Sequence, residues 1–169
     1  QLKRERKTLI ENNIRFHVIG DLAQLPPETR AVVEETVQAT RHLTGMHLTF
    51  ALNYGGRQDV TAAARSIAKK VLSKEISPEQ IDEALVDSEL MSSFLPHPDL
   101  IIRTSGEHRL SNFFLWQAAY SELFVSHVLW PDFKLSDLQT ALDFYSTRER
   151  RFGRIKSSSR NEIEAVPKR

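Results

Sequence analysis

The sequence contains no cysteine in its 169 residues. This absence excludes disulfide bonds and cysteine-ligated metal sites, and it favours a reducing compartment, so we predict a cytoplasmic protein. No apolar run approaches the roughly 18 residues that a membrane-spanning helix needs. Charge of one sign is not in excess, because 23 Lys and Arg residues are balanced by 22 Asp and Glu residues. Proteins that bind nucleic acid usually carry a marked basic excess, so we predict no nucleic-acid partner.

What is present is the composition of an ordinary globular protein, with 40% hydrophobic and 27% charged residues. A chain of this length can bury one substantial core but not clearly two. After residue 154 the sequence becomes polar and basic, with three serines between Lys156 and Arg160. We therefore predict one domain over residues 1–154 and a disordered tail over residues 155–169.

Apolar runs of strand length alternate with segments of helical periodicity. A Pro-Pro-Glu sequence and two capping boxes predict helix starts, and another apolar segment also fits a helix. The helix starts lie at residues 26–28, 77–80 and 136–139, the extra helical segment is 113–120, and the strand-like runs are 14–19, 48–52, 100–102 and 124–129. Strands separated by helices form right-handed βαβ units. The sequence therefore predicts an α/β fold with a parallel β-sheet flanked by helices.

Two arginines follow the third strand-like run. Arg103 comes directly after the run, Arg109 comes six residues later, and the hydroxyl of Ser111 follows. In parallel α/β folds, ligands bind beyond the carboxyl ends of strands. An arginine fork can give two charge-assisted hydrogen bonds to a phosphate or diphosphate. The residues therefore predict an anion site, although salt bridges to surface carboxylates also explain most arginines.

Other known catalytic patterns are missing from the sequence. There is no Ser-His-Asp arrangement, no zinc-ligand spacing and no Gly-rich nucleotide loop. The Gly55-Gly56 pair is too short for such a loop, and we predict that it allows a tight backbone turn after the second strand. We further expect Arg57 and Asp59 to hold the neighbouring helix in place.

Several motifs together resemble the signature of the cis-prenyltransferases, the undecaprenyl diphosphate synthase family. The central one runs from Asp99 to Phe113 and contains both arginines and Ser111. The others are Asn53-Tyr54-Gly55-Gly56-Arg57, Glu122-Leu123-Phe124, Leu129-Trp130-Pro131-Asp132-Phe133 and Arg148-Glu149-Arg150-Arg151-Phe152-Gly153. Their order and spacing agree with the family pattern along most of the chain. The resemblance implies a parallel sheet flanked by helices.

One departure from the family pattern is large. The family carries, near its amino terminus, an Asp-Gly-Asn-x-Arg-Trp-Ala loop that holds the allylic diphosphate and supplies a magnesium-binding Asp, and later an Asn-Trp pair. Neither motif occurs in this sequence. We therefore expect the chain to correspond to the carboxyl-terminal two-thirds of the family fold, with the amino-terminal part missing. On this view the chain carries none of the catalytic residues, which are expected in the missing loop.

The resemblance also implies roles for individual residues. Arg103, Arg109 and Ser111, with the backbone amide of Leu110, would bind the diphosphate of isopentenyl diphosphate. Glu122 would help to bind Mg²⁺ on that diphosphate, in some relatives across a dimer contact. A solvated carboxylate is the alternative for Glu122. The sequence Arg151-Phe152-Gly153 matches an Arg-x-Gly pattern that contributes to the partner subunit's site in related proteins.

The implied activity is the condensation of isopentenyl diphosphate with an allylic diphosphate such as farnesyl diphosphate, which yields a Z-polyprenyl diphosphate such as undecaprenyl diphosphate. A homodimer and a peripheral membrane contact through the lipid product are further expectations, and we expect these 169 residues alone to be inactive. One alternative is a non-catalytic partner subunit of a heteromeric cis-prenyltransferase. Retention of the predicted binding residues argues against it. A third reading is an unrelated anion-binding α/β domain.

Overall fold

The computed structural model of the protein describes residues 2–148. These residues fall into two compact units, one formed by residues 2–98 with 108–121 and the other by residues 99–107 with 122–148. Each unit is built around a pair of parallel strands. The predicted tail at 155–169 and the Arg151-Phe152-Gly153 pattern lie outside the described residues, so both stay predictions.

The larger unit is formed by four α-helices and two strands. Its elements in chain order are α1 (Leu2–Glu11), β1 (Arg15–Ile19), α2 (Pro27–Thr40), β2 (His47–Ala51), α3 (Gly56–Leu72) and α4 (Glu83–Glu89), with short 3₁₀ turns at Leu22–Gln24 and Pro78–Gln80. Strands β1 and β2 pair in parallel, with Arg15 opposite His47 and Ile19 opposite Ala51. Helix α2 connects the two strands, as a parallel pair requires.

The core of this unit lies between β1 and the first two helices. Phe16 on β1 is fully buried and clusters with Leu9 of α1 and Val33 of α2. Thr40, at the end of α2, is also fully buried, and its Oγ1 accepts a hydrogen bond of 3.0 Å from the backbone N–H of Phe16. The same hydroxyl donates to the carbonyl oxygen of Thr36 at 2.9 Å. A buried hydroxyl thus fixes α2 against β1 without leaving an unsatisfied polar group.

The smaller unit contains the other strand pair. Its elements are β3 (Leu100–Arg103), β4 (Glu122–Val125), a 3₁₀ turn at Trp130–Asp132 and α5 (Leu135–Ser146). The strands pair in parallel, with Leu100 opposite Glu122 and Arg103 opposite Val125. Ala141 is the fully buried residue of α5, and the rings of Phe124 and Phe144 contact each other at 5.2 Å between centroids.

The predicted fold class is confirmed, since parallel strands alternate with helices in both units. Three of the four predicted strands lie within one residue of their observed bounds. The fourth, predicted at 124–129, begins two residues earlier and ends at Val125. Its partner strand β3 ends at Arg103, opposite Val125, and beyond that point Ser126 Oγ accepts a 3.2 Å hydrogen bond from the N–H of Val128.

The helix predictions need three corrections, two at predicted starts and one at a predicted segment. The capping box at Ser77 is present but opens only a 3₁₀ turn, and α4 begins after Asp82, whose Oδ1 accepts from the N–H of Leu85. Helix α5 is not capped at Ser136, because Asp137 Oδ2 accepts from the backbone N–H of Lys134 at 2.8 Å. The segment 113–120 is a series of turns and not a helix. Within residues 2–148, no helix combines the length and apolarity needed to cross a membrane.

A histidine on β1 predicts a pH dependence of stability. The ring of His17 stacks on His47 at 5.0 Å and on Phe94 at 4.7 Å, and its Nε2 is buried with no hydrogen-bond partner among residues 2–148. Burial, and secondarily the charges of Arg15 and His47, lower the pKa of His17 from 6.5. The unfolded chain therefore binds a proton at a higher pH than the folded chain does.

We expect the contribution of His17 to the free energy of unfolding to be fully present above pH 6.5. This contribution should fall as the pH drops towards the lowered pKa of His17. In His17→Phe, urea unfolding between pH 7 and pH 5 should show a shallower loss of stability than the wild-type protein. A matched His42→Phe control, on an exposed ring of the same unit, should retain the wild-type slope. Equal slopes in wild type and His17→Phe would contradict the prediction.

Candidate functional site

Arg103 is the last residue of β3, at the carboxyl end of the parallel pair. Its carbonyl oxygen accepts a hydrogen bond of 2.7 Å from the N–H of Ser126, which continues the pairing one step beyond β4. The side-chain Nε is buried, and among residues 2–148 it has no hydrogen-bond partner. A buried N–H of a guanidinium group that lacks an acceptor is costly unless a ligand supplies one.

The turn after Arg103 has a fixed left-handed backbone. Ser105 and Gly106 have φ angles of +68° and +65°. Their backbone N–H groups donate to the carbonyl oxygens of Val128 at 3.0 Å and Ser126 at 2.8 Å. A Cβ at position 106 would lie 2.9 Å from Nδ1 of His127, so both the conformation and the space require glycine. These contacts fix the direction in which the chain leaves Arg103.

The other predicted anion-binding residues belong to the larger unit. Arg109 and Ser111 are exposed, and Leu110 is half-buried. The backbone is left-handed at Ser111, Asn112 and Phe114, with φ angles of +49°, +66° and +47°. Non-glycine residues rarely adopt this conformation, and where they do it is held by surrounding contacts, often at ligand sites.

A buried carboxyl group holds the segment that follows. Asp59, on the first turn of α3, is 1% exposed. Its Oδ1 accepts from the N–H of Met91 at 2.9 Å, and its Oδ2 accepts from Tyr54 Oη at 2.8 Å and from Gln117 Nε2 at 3.1 Å. Gln117 also donates to Ser92 Oγ at 2.8 Å. The pKa of Tyr54 is raised, first by burial and then by its hydrogen bond to Asp59.

Asp59 therefore joins three separate stretches of chain. The sequence analysis expected Arg57 and Asp59 to hold the neighbouring helix, but Arg57 is exposed and Asp59 holds the 113–121 segment and the chain after α4. Nothing in the sequence pointed to Gln117, which is 58 residues away from its partner.

A polar cleft of about 460 Å³ lies beside the carboxyl ends of β1 and β2. Its polar lining side chains are Asp21, Gln24, Asn53, Tyr54, Gln58 and Asn112. No arginine, lysine or histidine lines it, so the cleft has no cation to bind a phosphate. The cleft is therefore not the predicted anion site, although Asn112, the residue after Ser111, lines it.

Glu122 occupies the opposite end of the strand pair from Arg103. It opens β4 opposite Leu100, and Arg103 lies opposite Val125. Three residues of strand separate the two positions by about 10 Å along the sheet. Glu122 Oε2 lies 3.7 Å from Arg148 Nε, and the guanidinium group of Arg148 lies 4.1 Å above the ring of Phe144.

Glu122 can supply one carboxylate to a metal ion, and its side chain is 32% exposed. Among residues 2–148 no group of three or more His, Asp or Glu side chains could hold an ion by itself. Mg²⁺ often takes one or two carboxylates and completes its shell with water and phosphate oxygens. The described residues thus fit a partial shell only, in which a bound diphosphate must provide ligands.

The five predicted site residues are divided between the units. Arg103 and Glu122 lie in the smaller unit, at opposite ends of its strand pair. Arg109, Leu110 and Ser111 lie in the larger unit, on the left-handed segment before Asn112.

Comparison with known proteins gives a consistent result. Residues 1–153 match a family model described as "Putative undecaprenyl diphosphate synthase". The chain is 47% identical over 164 residues to an isoprenyl transferase of Chlorobaculum tepidum, which covers 96% of this chain and 62% of that protein. It is 48% identical over 151 residues to an isoprenyl transferase of Streptococcus pyogenes, covering 87% of this chain and 61% of the relative. The chain thus spans about three-fifths of the length of these curated relatives.

Solved structures agree with these sequences. The lavandulyl diphosphate synthase from Lavandula x intermedia, in complex with dimethylallyl diphosphate, matches with a TM-score of 0.87 and 40% identity, covering 90% of this chain and 66% of that one. A probable undecaprenyl diphosphate synthase from Campylobacter jejuni matches with a TM-score of 0.75 and 30% identity, covering 90% and 69%. The motifs, the parallel α/β fold and these matches lead to one conclusion: the chain belongs to the undecaprenyl diphosphate synthase family of isoprenyl transferases.

Proposed function

We propose that the protein acts as a cis-prenyltransferase, condensing isopentenyl diphosphate with an allylic diphosphate to give a Z-polyprenyl diphosphate. Family membership supports prenyl transfer as the reaction class. The related synthase solved with dimethylallyl diphosphate supports an allylic diphosphate as one substrate.

The observation that carries the proposal is the buried Nε of Arg103, which has no acceptor among residues 2–148. A diphosphate oxygen would satisfy this donor and would pair with the charge of the guanidinium group. Hydrogen bonds to charged groups contribute about 1.5–3 kcal/mol each. The position at the carboxyl end of a parallel strand is the usual place for such a ligand.

The segment 109–111 would supply the other contacts. We propose that Arg109, the N–H of Leu110 and the hydroxyl of Ser111 bind the same diphosphate. The left-handed backbone at Ser111 supports this assignment, since conformations of this kind are often held in place at ligand sites.

In this proposal the described residues bind and orient one substrate. They hold isopentenyl diphosphate by its headgroup, so that its double bond can attack the allylic carbon as that carbon loses its diphosphate. A proton then leaves the condensed product and a Z double bond forms. Fixing the nucleophilic alkene in an attacking geometry lowers the entropic part of the barrier. We assign neither the ionisation nor the proton removal to any residue of this chain.

Glu122 is proposed as one Mg²⁺ ligand. A bound Mg²⁺ would neutralise part of the diphosphate charge. Glu122 and Arg103 lie at opposite ends of the strand pair. Glu122 would therefore bind Mg²⁺ more easily on the diphosphate of a second subunit than on a diphosphate held by Arg103. We therefore propose a homodimer in which Glu122 serves the partner's substrate.

We also propose that these 169 residues alone do not catalyse condensation, because the family's allylic-diphosphate loop does not occur in them. The purified chain, incubated with Mg²⁺, farnesyl diphosphate and radiolabelled isopentenyl diphosphate, should yield no labelled polyprenol after phosphatase treatment. A relative's complete enzyme serves as the positive control. Labelled polyprenol from the chain alone would refute this part of the proposal.

Arg109→Ala should raise the KM for isopentenyl diphosphate. Loss of charge-assisted hydrogen bonds worth about 1.5–3 kcal/mol corresponds to roughly a 10- to 150-fold increase. Steady-state kinetics on a full-length protein that contains these residues measures the change, with the KM for farnesyl diphosphate recorded in parallel. Arg30→Ala, which removes an exposed arginine paired with Glu34 on α2, is the control and should leave both KM values unchanged. An unaltered KM in a folded Arg109→Ala variant would exclude Arg109 from the site.

Glu122→Gln should increase the Mg²⁺ concentration that gives half-maximal activity. Even the loss of a residue that only supports a metal ligand typically weakens affinity roughly 10- to 100-fold, so loss of a direct ligand should have at least the smaller effect. A Mg²⁺ titration of initial rate compares Glu122→Gln with Glu34→Gln, a control on the surface of α2. The same half-maximal concentration in both variants would remove Glu122 from the metal shell.

A further inference from the structure

The start of α3 lacks a capping side chain of its own. Its N-cap residue is Gly55, which makes no side-chain hydrogen bond. The first backbone N–H groups of a helix have no partner within the helix, so they need acceptors from elsewhere. Ser, Thr, Asp or Asn at the N-cap position usually provides one, and here glycine occupies that position.

Asn112 supplies these acceptors from a distant part of the chain. Its carbonyl oxygen accepts from the N–H of Gly56 at 2.6 Å, and its side-chain Oδ1 accepts from the N–H of Arg57 at 2.9 Å. Its Nδ2 donates to Oε1 of Gln58 at 3.1 Å. One asparagine thus contacts three consecutive residues of the first turn of α3, with both its backbone and its side chain.

This close approach accounts for the two glycines. The φ angle of Gly55 is −148°, which any residue can adopt. A Cβ at Gly55 would lie 2.6 Å from Nδ2 of Asn112, and a Cβ at Gly56 would lie 3.0 Å from the backbone N of Leu115. The Gly55-Gly56 pair was predicted to allow a tight turn, but the structure shows a different reason. A side chain at Gly56 would push the 112–115 segment away, and one at Gly55 would displace the side chains of Gln58 and Asn112.

Asn112 directly follows the residues proposed to bind diphosphate. Ser111 and Asn112 are both left-handed, a conformation that asparagine adopts more readily than most residues do. The N–H of Phe113 donates to the carbonyl oxygen of Leu110 at 3.0 Å, which closes the turn. Since Asn112 is attached to α3 by three hydrogen bonds, the backbone of Leu110 and Ser111 has little freedom to move.

We infer that Asn112 is a positioning residue for the bound substrate headgroup, acting by fixing the backbone of residues 109–111 to the start of α3. This inference rests on the proposed function, because it assigns Asn112 a role towards the diphosphate that Arg109 and Ser111 bind. Asn112 does not contact the ligand through its capping atoms, which are directed to α3. Its effect is transmitted through the left-handed turn.

A purely structural cap would behave differently. Loss of an N-cap lowers stability, and it does so less when glycine replaces the residue than when alanine does. Such a loss would affect both substrates alike. Loss of positioning should instead weaken the recognition of isopentenyl diphosphate selectively, because only that headgroup contacts the segment.

The test uses two Asn112 variants of a full-length protein that contains these residues. Asn112→Gly removes the side chain but keeps the left-handed backbone accessible. Asn112→Asp keeps the acceptor for the N–H of Arg57 and places negative charge at the positive end of α3, where it is favourable. The matched control is Asp82→Gly, which removes the side-chain cap of α4 in the same unit.

We expect Asn112→Gly to raise the KM for isopentenyl diphosphate roughly tenfold or more, since small displacements of a substrate-positioning group can cost up to about a hundredfold. The KM for farnesyl diphosphate should change less than twofold. Asn112→Asp should restore most of the loss, and Asp82→Gly should leave both KM values unchanged. Calorimetric titration with isopentenyl diphosphate gives the same comparison as dissociation constants if turnover is too slow to measure.

An unchanged KM in Asn112→Gly would overturn the inference. So would equal changes for both substrates that parallel a fall in melting temperature, because these indicate a cap with a structural role only. Arg109→Ala separates this outcome from failure of the proposed function. If Arg109→Ala raises the KM and Asn112→Gly does not, the positioning role alone is wrong. If neither variant affects isopentenyl diphosphate, the proposed function fails as well.

Discussion

The contact between Asn112 and the first turn of α3 is the constraint on which residues 109–111 of the candidate site depend. A helix start needs acceptors for its backbone N–H groups, and the segment 109–115 needs an attachment because its backbone is left-handed at three of its residues. One residue meets both needs. Glycine at 56 leaves room for the backbone of residues 112–115, and glycine at 55 leaves room for the side chains of Gln58 and Asn112. The start of α3 and the segment proposed to bind the anion are therefore held by the same hydrogen bonds.

The buried carboxyl group of Asp59 extends this attachment along the segment. A buried polar group is tolerated only when its hydrogen bonds are made, and Asp59 accepts three of them, from Met91, Tyr54 and Gln117. Asn112 and Gln117 are five residues apart, and both are bound to the first turn of α3 or the residues beside it. Arg103 shows the complementary situation, because its buried Nε lacks an acceptor among residues 2–148. The polar groups of Asn112, Asp59 and Gln117 that attach this segment have partners within the structure, whereas Arg103 Nε, like His17 Nε2, has none among residues 2–148.

The sequence was sufficient for features that depend on neighbouring residues. The apolar run ending at Arg103 predicted a strand with an arginine at its carboxyl end, and that is where Arg103 lies. Features that depend on distant pairs could not be predicted in this way. The 113–120 segment is apolar on most sides and fits a helix by sequence, yet it forms turns. These turns are held by hydrogen bonds such as those of Asn112 with Arg57 and of Gln117 with Asp59, each more than 50 residues away. Of the two predicted capping boxes, the one at Ser77 forms but opens only a 3₁₀ turn, whereas the one at Ser136 does not form, because α5 begins after Lys134. Glu122 was predicted as a metal ligand, and only the strand register shows that it lies at the far end from Arg103.

The central claim is that a diphosphate headgroup binds to Arg103 and Arg109. Isothermal titration calorimetry of isopentenyl diphosphate with a full-length protein that contains these residues tests this claim without requiring turnover. The account predicts that neutralising both arginines, as Arg103→Ala with Arg109→Ala, abolishes measurable binding while the far-ultraviolet circular dichroism spectrum is retained. A folded double variant that binds isopentenyl diphosphate with the wild-type dissociation constant would contradict it.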